Sequence, residues 1–371
     1  MKPATANLLL ACASLALSFA AAEFALRIIG YQATSQHLHP DPQTGLLRYG
    51  PHAEFRQKTA CYDERFKANR LGFHAKEFDE KKPEGTFRIA VYGDSFVEAA
   101  QVPVEESFAA RLEEKLNAMP ERTMRYEVVP FGISSNGTYM NGAYWNAYRR
   151  AYAPDLVIDA LYMNDVSDDA APPPGREPVY DASGTPAFTL APTEPPTLLK
   201  RLRSVLRRSA VVYQLSSAVS LYRYRQHSAP EALPVEYGLM TEPPAEDAAK
   251  ALDLQGRLLS GFAGRVRADG ARFMVMAIPE GFLVHPSLFD RLPDGGRGYD
   301  ASAVDRRLAE MAEREHLDLL ALAPAFRARL EREPEGMTVW SCDGHWNATG
   351  HAWAADALYG YLTAHPKLLN R

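Results

Sequence analysis

The chain has 371 residues, of which 46% are hydrophobic and 23% charged. That balance excludes wholesale disorder and a multi-span membrane protein, and it leaves ample apolar material for one large core with insertions. With 41 Lys and Arg against 46 Asp and Glu, the formal charge is −5. There is no chain-wide basic field, and nucleic acid is not an expected partner.

Residues 1–30 carry an address. Lys2 precedes an uncharged run, Leu8 to Ala22. Two readings stand. Ala20-Ala21-Ala22 fits the small-residue cleavage site of a signal peptide. Alternatively the apolar stretch continues through Phe24 and Leu26 to Ile29 and just reaches the ~20 residues of a single span, with Arg27 snorkelling to the interface. We favour the anchor. It would hold the chain in the inner membrane with the body in the periplasm; a cleaved segment would leave a secreted body.

Three cysteines are present, Cys12, Cys61 and Cys342, with no CxxC spacing and no zinc framework. A Cys61–Cys342 disulfide is open in an oxidising compartment, but two buried thiols is the simpler reading.

Residues 31–85 show no sustained period and read as a loop-rich lead-in packed on the main domain, residues 86–371. There the pattern becomes α/β. Arg88 to Tyr92 is a short apolar strand ending at Gly93. Ser107 to Met119 is a helix with Phe108, Leu112 and Leu116 on one face. Tyr126 to Val129 is a strand, Tyr139 to Ala151 a helix, and Asp155 to Tyr162 a third strand, followed by Asn164 and Asp165. Proline pairs bound an insertion over 166–244, with one or two helices within 198–225. Alternation resumes with a helix over 246–266, a strand Arg272 to Ile278, a helix over 302–315, a strand Leu317 to Leu322, and a last helix from about Thr349. Strands alternating with helices predict a parallel sheet covered on both faces.

In open α/β sheets ligands bind outside the carboxyl ends of the strands. Gly93-Asp94-Ser95, Phe131-Gly132 and Met163-Asn164-Asp165 lie there, and Asp343-Gly344-His345-Trp346-Asn347 precedes the last helix. Acyl transfer needs a hydroxyl, a base to take its proton, and an acid to orient the base. Ser95, His345 and Asp343 supply these; residues i and i+2 of an extended segment point to the same side, which brings Asp343 toward His345. Donors for an oxyanion are available from the Ser95 and Gly132 N–H groups and the Asn164 amide.

Four blocks in this order resemble the SGNH/GDSL hydrolase family: Gly93-Asp94-Ser95 (with Phe96 where the family has Leu), Gly132, Asn164, and Asp343 with His345. The resemblance spans residues 87–365. It implies a flavodoxin-like three-layer sandwich with a five-stranded parallel sheet, a Ser95 nucleophile, and an oxyanion hole from Ser95, Gly132 and Asn164. Many members place Asp three residues before His. Here that position is Cys342, and the DxH form followed by Trp is similar to the membrane-anchored branch with alginate-type O-acetyltransferases.

Each residue also has a plainer reading. Ser95 suits a helix start, Asn164 a turn, and Gly132 a positive φ. Asp94 and Asp165 read as shaping their turns. Asp343, His345 and His351 form a weak metal set, because the two histidines are six apart rather than the four that share a helix face; His351 reads as a helix residue. No metal or organic cofactor is expected. Lys200, Arg201, Arg203, Arg207 and Arg208 read as the solvated side of a lid helix ahead of a patch for anionic lipid or acidic glycan. Trp340, Trp346 and Tyr162 suit either a sugar site or a core. The expected activity is a serine esterase or O-acyltransferase acting on acyl groups, acetyl above all, of an envelope or extracellular polysaccharide. The rivals are a lipase or thioesterase on lipid acyl chains and a non-catalytic scaffold docking polysaccharide assembly proteins.

Overall fold

A computed structural model describes residues 3–30, 37–59, 61–120, 122–173, 175–190, 198, 206, 209–226, 234–290, 292–340 and 342–369. In chain order the helices that matter below are α1 (Pro3–Ile29), α2 (Ser95–Glu98), α3 (Phe108–Asn117), α4 (Thr138–Tyr152), α5 (Asp165–Ala170), α6 (Ala210–Gln226), α7 (Glu246–Ala268), α8 (Ala301–Arg314), α9 (Leu322–Leu330) and α10 (Ala348–Ala364), with two single turns at Gly281–Val284 and Pro286–Phe289 between α7 and α8. Two small antiparallel pairs come first, β1 (His39–Pro40) with β2 (Leu47–Arg48) and β3 (Glu54–Lys58) with β4 (Asp63–Lys67). Then β5 (Thr86–Gly93), β6 (Arg125–Gly132), β7 (Leu156–Tyr162), β8 (Arg272–Ile278) and β9 (Leu319–Ala321) form one five-stranded parallel sheet in the order β6-β5-β7-β8-β9. Three layers result, with helices on both faces, as expected.

A strand buried on both faces reads as a near-continuous apolar run, broken only where a polar side chain finds a partner, as Arg88 of β5 does in Glu127 of β6. All eight residues of β5 are buried. Phe87, Ile89 and Val91 face one layer with Leu112 and Leu116 of α3 and Leu358 and Leu362 of α10. Ala90 and Tyr92 face the other, with Tyr144 and Trp145 of α4 and Leu258 and Phe262 of α7. Helix starts follow local chemistry. The Ser107 hydroxyl accepts from Ala110 N at 3.3 Å, and the Asn347 side chain accepts from Thr349 N and Gly350 N at 2.9 and 3.1 Å.

The lead-in holds a hairpin that its sequence hides. Each strand of the β3–β4 pair sends a single phenylalanine inward, Phe55 and Phe66, with stacked centroids 4.5 Å apart. One apolar residue per strand is too little alternation to read as a strand. These rings join Tyr49, Phe73 and Phe78 in the core beside Tyr92 and Phe131. The strand expected over 317–322 is shorter, because Leu322 already begins α9. Within the insertion, Lys200, Arg201, Arg203, Arg207 and Arg208 lie outside the described residues.

The N-terminal helix is long and apolar enough to cross a membrane over Thr5–Ile29, with mean hydropathy 1.9 in its most apolar stretch. Glu23 near its end accepts hydrogen bonds from Ser209 Oγ and from the N–H groups of Ala210 and Val211, at 2.7, 3.0 and 3.0 Å. It thereby caps α6.

The reading of Cys61 and Cys342 as two buried thiols is corrected. They form a disulfide, with Cα atoms 6.0 Å apart across 281 positions of sequence. Neither residue is buried. The turn between β3 and β4 lies against the exposed turn before α10, and that docking brings the sulfurs together. Cys12 is free and exposed.

Candidate active site

The carboxyl ends of three adjacent strands build the site. Gly93 ends β5 and is paired in register with Gly132 of β6 and Ala160 of β7. Asp94 follows, and its carboxylate accepts from Phe96 N at 3.0 Å, which starts α2. This is the turn-shaping role expected of it. Ser95 is the first residue of α2. Its N–H, like the other first-turn N–H groups of a helix, has no intrahelical acceptor.

His345 reaches Ser95 from the far end of the chain. Its Nε2 lies 2.9 Å from Ser95 Oγ. Five consecutive residues divide the labour of placing it. The Asp343 carboxylate accepts from His345 N at 3.1 Å. Gly344 takes φ +78°, a conformation that favours glycine. The His345 ring projects toward Ser95, its centroid 5.2 Å from that of Phe96. Trp346 is buried and wedges against Phe96, Phe108 and Phe326. Asn347 caps α10. Trp346 is therefore a core residue. Trp340 hydrogen-bonds through its backbone to His345 and closes the turn, N to O at 2.8 Å.

Asp343 Oδ1 lies 3.6 Å from His345 Nδ1. This is an ion-pair distance, longer than a hydrogen bond. Burial disfavours a charged His345 ring, but the adjacent Asp343 carboxylate, helped by the more distant Asp94 and Glu98, outweighs it and raises the pKa. Burial pushes the Asp94 carboxyl up to about 6, against the opposing pull of the Phe96 N–H, the His345 charge and the Ser95 hydroxyl.

Gly132 is the last residue of β6. Ile133 N donates to Gly93 O at 3.2 Å. Because N–H directions alternate along a strand, the Gly132 N–H turns away from β5 toward the open edge of the sheet, where β6 is the outermost strand. The glycine is not there for a positive φ. A Cβ on Gly132 would stand 2.0 Å from Glu98 N and 2.3 Å from Val97 C, so close approach of the α2 backbone is what demands it. Asn164 immediately precedes α5, and its Nδ2 donates to Asp168 Oδ2 at 3.3 Å, while its Oδ1 is buried without a partner. Asp165 turns back to accept from Tyr162 N at 3.1 Å.

Sequence reasoning missed the ring of buried groups behind the site. Glu98 is fully enclosed, and it accepts from Tyr49 Oη and Ser134 Oγ. Burial raises its pKa despite those two bonds. Glu280, half-buried just beyond β8, lies close enough to Tyr162, His345 and Asp94 to feel them; burial first, then Glu236 and Asp94, pushes it up to about 7. The GDSxxE spacing of Glu98 was a visible signal; the position of Glu280 had none. His351 is a buried α10 residue whose Nδ1 accepts from Phe108 N at 3.3 Å, far from any ligand role. Among the described residues, no group of three His, Cys, Asp or Glu side chains is arranged to hold a metal ion.

No protein-family model matches the chain, and no curated protein matches it. Among solved structures it is similar to an acetyl xylan esterase, AlAXEase, at 14% identity and TM-score 0.42, over 74% of this chain and 100% of that one. It is similar to TesA at 15% identity and TM-score 0.40, over 75% and 98% of the two chains. A third likeness is to a catalytic mutant of Axe2, an acetylxylan esterase from Geobacillus stearothermophilus, at 14% identity and TM-score 0.39 over 75% and 93%.

Proposed function

We propose that this chain is a serine-nucleophile esterase or O-acyltransferase that acts on acetyl esters of an envelope or extracellular polysaccharide. The observation that carries the reading is the 2.9 Å contact between Ser95 Oγ and His345 Nε2, made by residues 250 positions apart. A hydroxyl and an imidazole at this distance can exchange a proton.

In the first half of the reaction, Ser95 Oγ bonds to the ester carbonyl carbon while His345 Nε2 takes the hydroxyl proton. The charge that develops on the carbonyl oxygen meets the N–H groups of Ser95 and Gly132 and the amide of Asn164. The sugar alkoxide leaves with the proton from His345, and an acyl-serine remains. In the second half, His345 deprotonates water or a sugar hydroxyl, which attacks the same carbon, and the proton returns to Ser95. Asp343 stabilises the imidazolium in both halves. The acetyl and polysaccharide assignments rest on the four-block resemblance together with the N-terminal apolar helix. That helix supports a body held at a membrane and exported.

Ser95→Ala removes the bond-forming atom, and turnover of p-nitrophenyl acetate is expected to fall by about 10⁴-fold or more. Full retention of activity by this variant refutes the mechanism. Substrate class is tested by the acetyl content of the polysaccharide in cells carrying active or Ser95→Ala protein. A strong preference for long-chain model esters would favour lipid acyl chains instead.

A further inference from the structure

The β3–β4 turn touches the loop that carries Asp343 at several points. Cys61 is bonded to Cys342, the residue immediately before Asp343. The Thr59 hydroxyl lies 3.7 Å from the same Cys342 sulfur. Tyr62, next to Cys61, is 7% exposed, and its ring centroid is 5.8 Å from that of Trp340. Its backbone is pinned, since Tyr62 N donates to the Thr59 hydroxyl at 3.2 Å and Tyr62 O accepts from Thr59 N at 2.9 Å.

The phenol of Tyr62 lies near enough to the Asp343 carboxylate to feel its charge. Gln57 Nε2 donates to the phenol oxygen at 2.9 Å. The Gln101 side chain faces it as well. With amide donors on the oxygen, the phenol proton is free to turn toward the Asp343 carboxylate. Burial first and that carboxylate second keep the phenol protonated.

Asp343 needs such a partner. Its side chain is 23% exposed and sits on a turn at ion-pair rather than hydrogen-bond distance from the ring it orients. A partly exposed carboxylate held only by the residue it orients samples rotamers that point into solvent. We propose that Tyr62 is a positioning residue, holding the Asp343 carboxylate against His345 Nδ1, and that the Cys61–Cys342 disulfide keeps the phenol in place. The inference rests on the roles given above to Ser95, His345 and Asp343. It makes the lead-in part of the site, supplied from 281 positions away in sequence.

Tyr62→Phe in the full chain tests it, because the ring still packs on Trp340 while the proton is lost. With p-nitrophenyl acetate, kcat is expected to fall about tenfold with KM unchanged, the order of one charge-assisted hydrogen bond. The acid limb of the pH profile should move to lower pH, because a loosened carboxylate supports the imidazolium less. Asp94, Glu98 and Glu280 also face His345 and are untouched by the substitution. Wild-type kcat with an unmoved acid limb overturns the role of Tyr62, provided that Ser95→Ala and Asp343→Ala are inactive. If Ser95→Ala is active, the parent reading fails instead. The disulfide has its own test: Cys61→Ser with Cys342→Ser, or reduction by dithiothreitol, should reproduce the kcat loss. A fully reduced protein with wild-type kcat overturns that half.

Discussion

Gly132→Ala adds a single methyl, and its consequence can be worked from the coordinates. The new Cβ would meet Glu98 N at 2.0 Å, Val97 C at 2.3 Å and Glu98 Cα at 2.6 Å. Ordinary carbon contacts begin at about 3.5 Å. Roughly 1.5 Å of separation must therefore be found between β6 and α2. All three atoms are backbone, so no side chain can swing aside. β6 is held in an eight-residue register against β5, whereas α2 is a four-residue helix with Ser95 at its first position. The weaker element should move, and Ser95 moves with it. A misplacement of about 1 Å in a reacting group costs on the order of 100-fold, or about 2.7 kcal/mol of transition-state stabilisation. Overpacking of this kind also costs about 1–3 kcal/mol of stability. Hydrolysis of p-nitrophenyl acetate, the rate of fluorophosphonate labelling at Ser95 and thermal unfolding measure the three consequences. Gly264→Ala is the control, since a Cβ there meets nothing within 4 Å and the residue lies inside α7. Wild-type activity and melting temperature in Gly132→Ala would show that the close approach of the two backbones is not what this glycine serves.

The raised pKa of His345 fixes the sense of a pH dependence. The proposed mechanism requires the neutral ring, so kcat/KM should rise with pH through a value above the ordinary 6.5 of histidine. The stability contribution of the same group runs the other way. It is fully present below the unfolded-state pKa and is lost as pH rises through the raised folded-state pKa. Asp343→Asn removes the main charge that holds the pKa up, so the activity limb should shift to lower pH while kcat falls; an unmoved limb would mean that another group sets it. Arg88 is wholly buried, and its guanidinium donates to Glu127 Oε2 at 2.8 and 3.0 Å and to the carbonyls of Asp79, Glu80 and Tyr152. Arg88→Met should leave the Glu127 charge buried and unpaired and destabilise the fold by about 3–5 kcal/mol; a denaturant midpoint close to wild type would contradict the assignment.

Much of the scaffold was legible before any coordinate. The strand read at Arg272–Ile278 is the observed β8, because a parallel strand buried on both faces leaves a near-continuous apolar run, here Phe273 to Ile278. The helix read from Ser107 is there, and the last helix, read from about Thr349, begins just before it because the Asn347 side chain caps it. Ser95, Gly132, Asn164, Asp343 and His345 stood out because each falls at a strand end or before a helix. Their order along the chain is a one-dimensional fact. The three-dimensional facts lay elsewhere. The β3–β4 hairpin rests on two phenylalanines whose partners are distant in sequence. The Cys61–Cys342 bond and the neighbourhood of Tyr62 and Asp343 exist only because that hairpin docks on the turn before α10. The demand for glycine at 132 comes from the approach of α2, and no local φ announces it. Period, capping and turn preference are properties of neighbouring residues and can be read from neighbours. Which carboxylate faces which ring, and which backbone leaves no room for a methyl group, is decided by side chains meeting across the core, and only the packed chain specifies that.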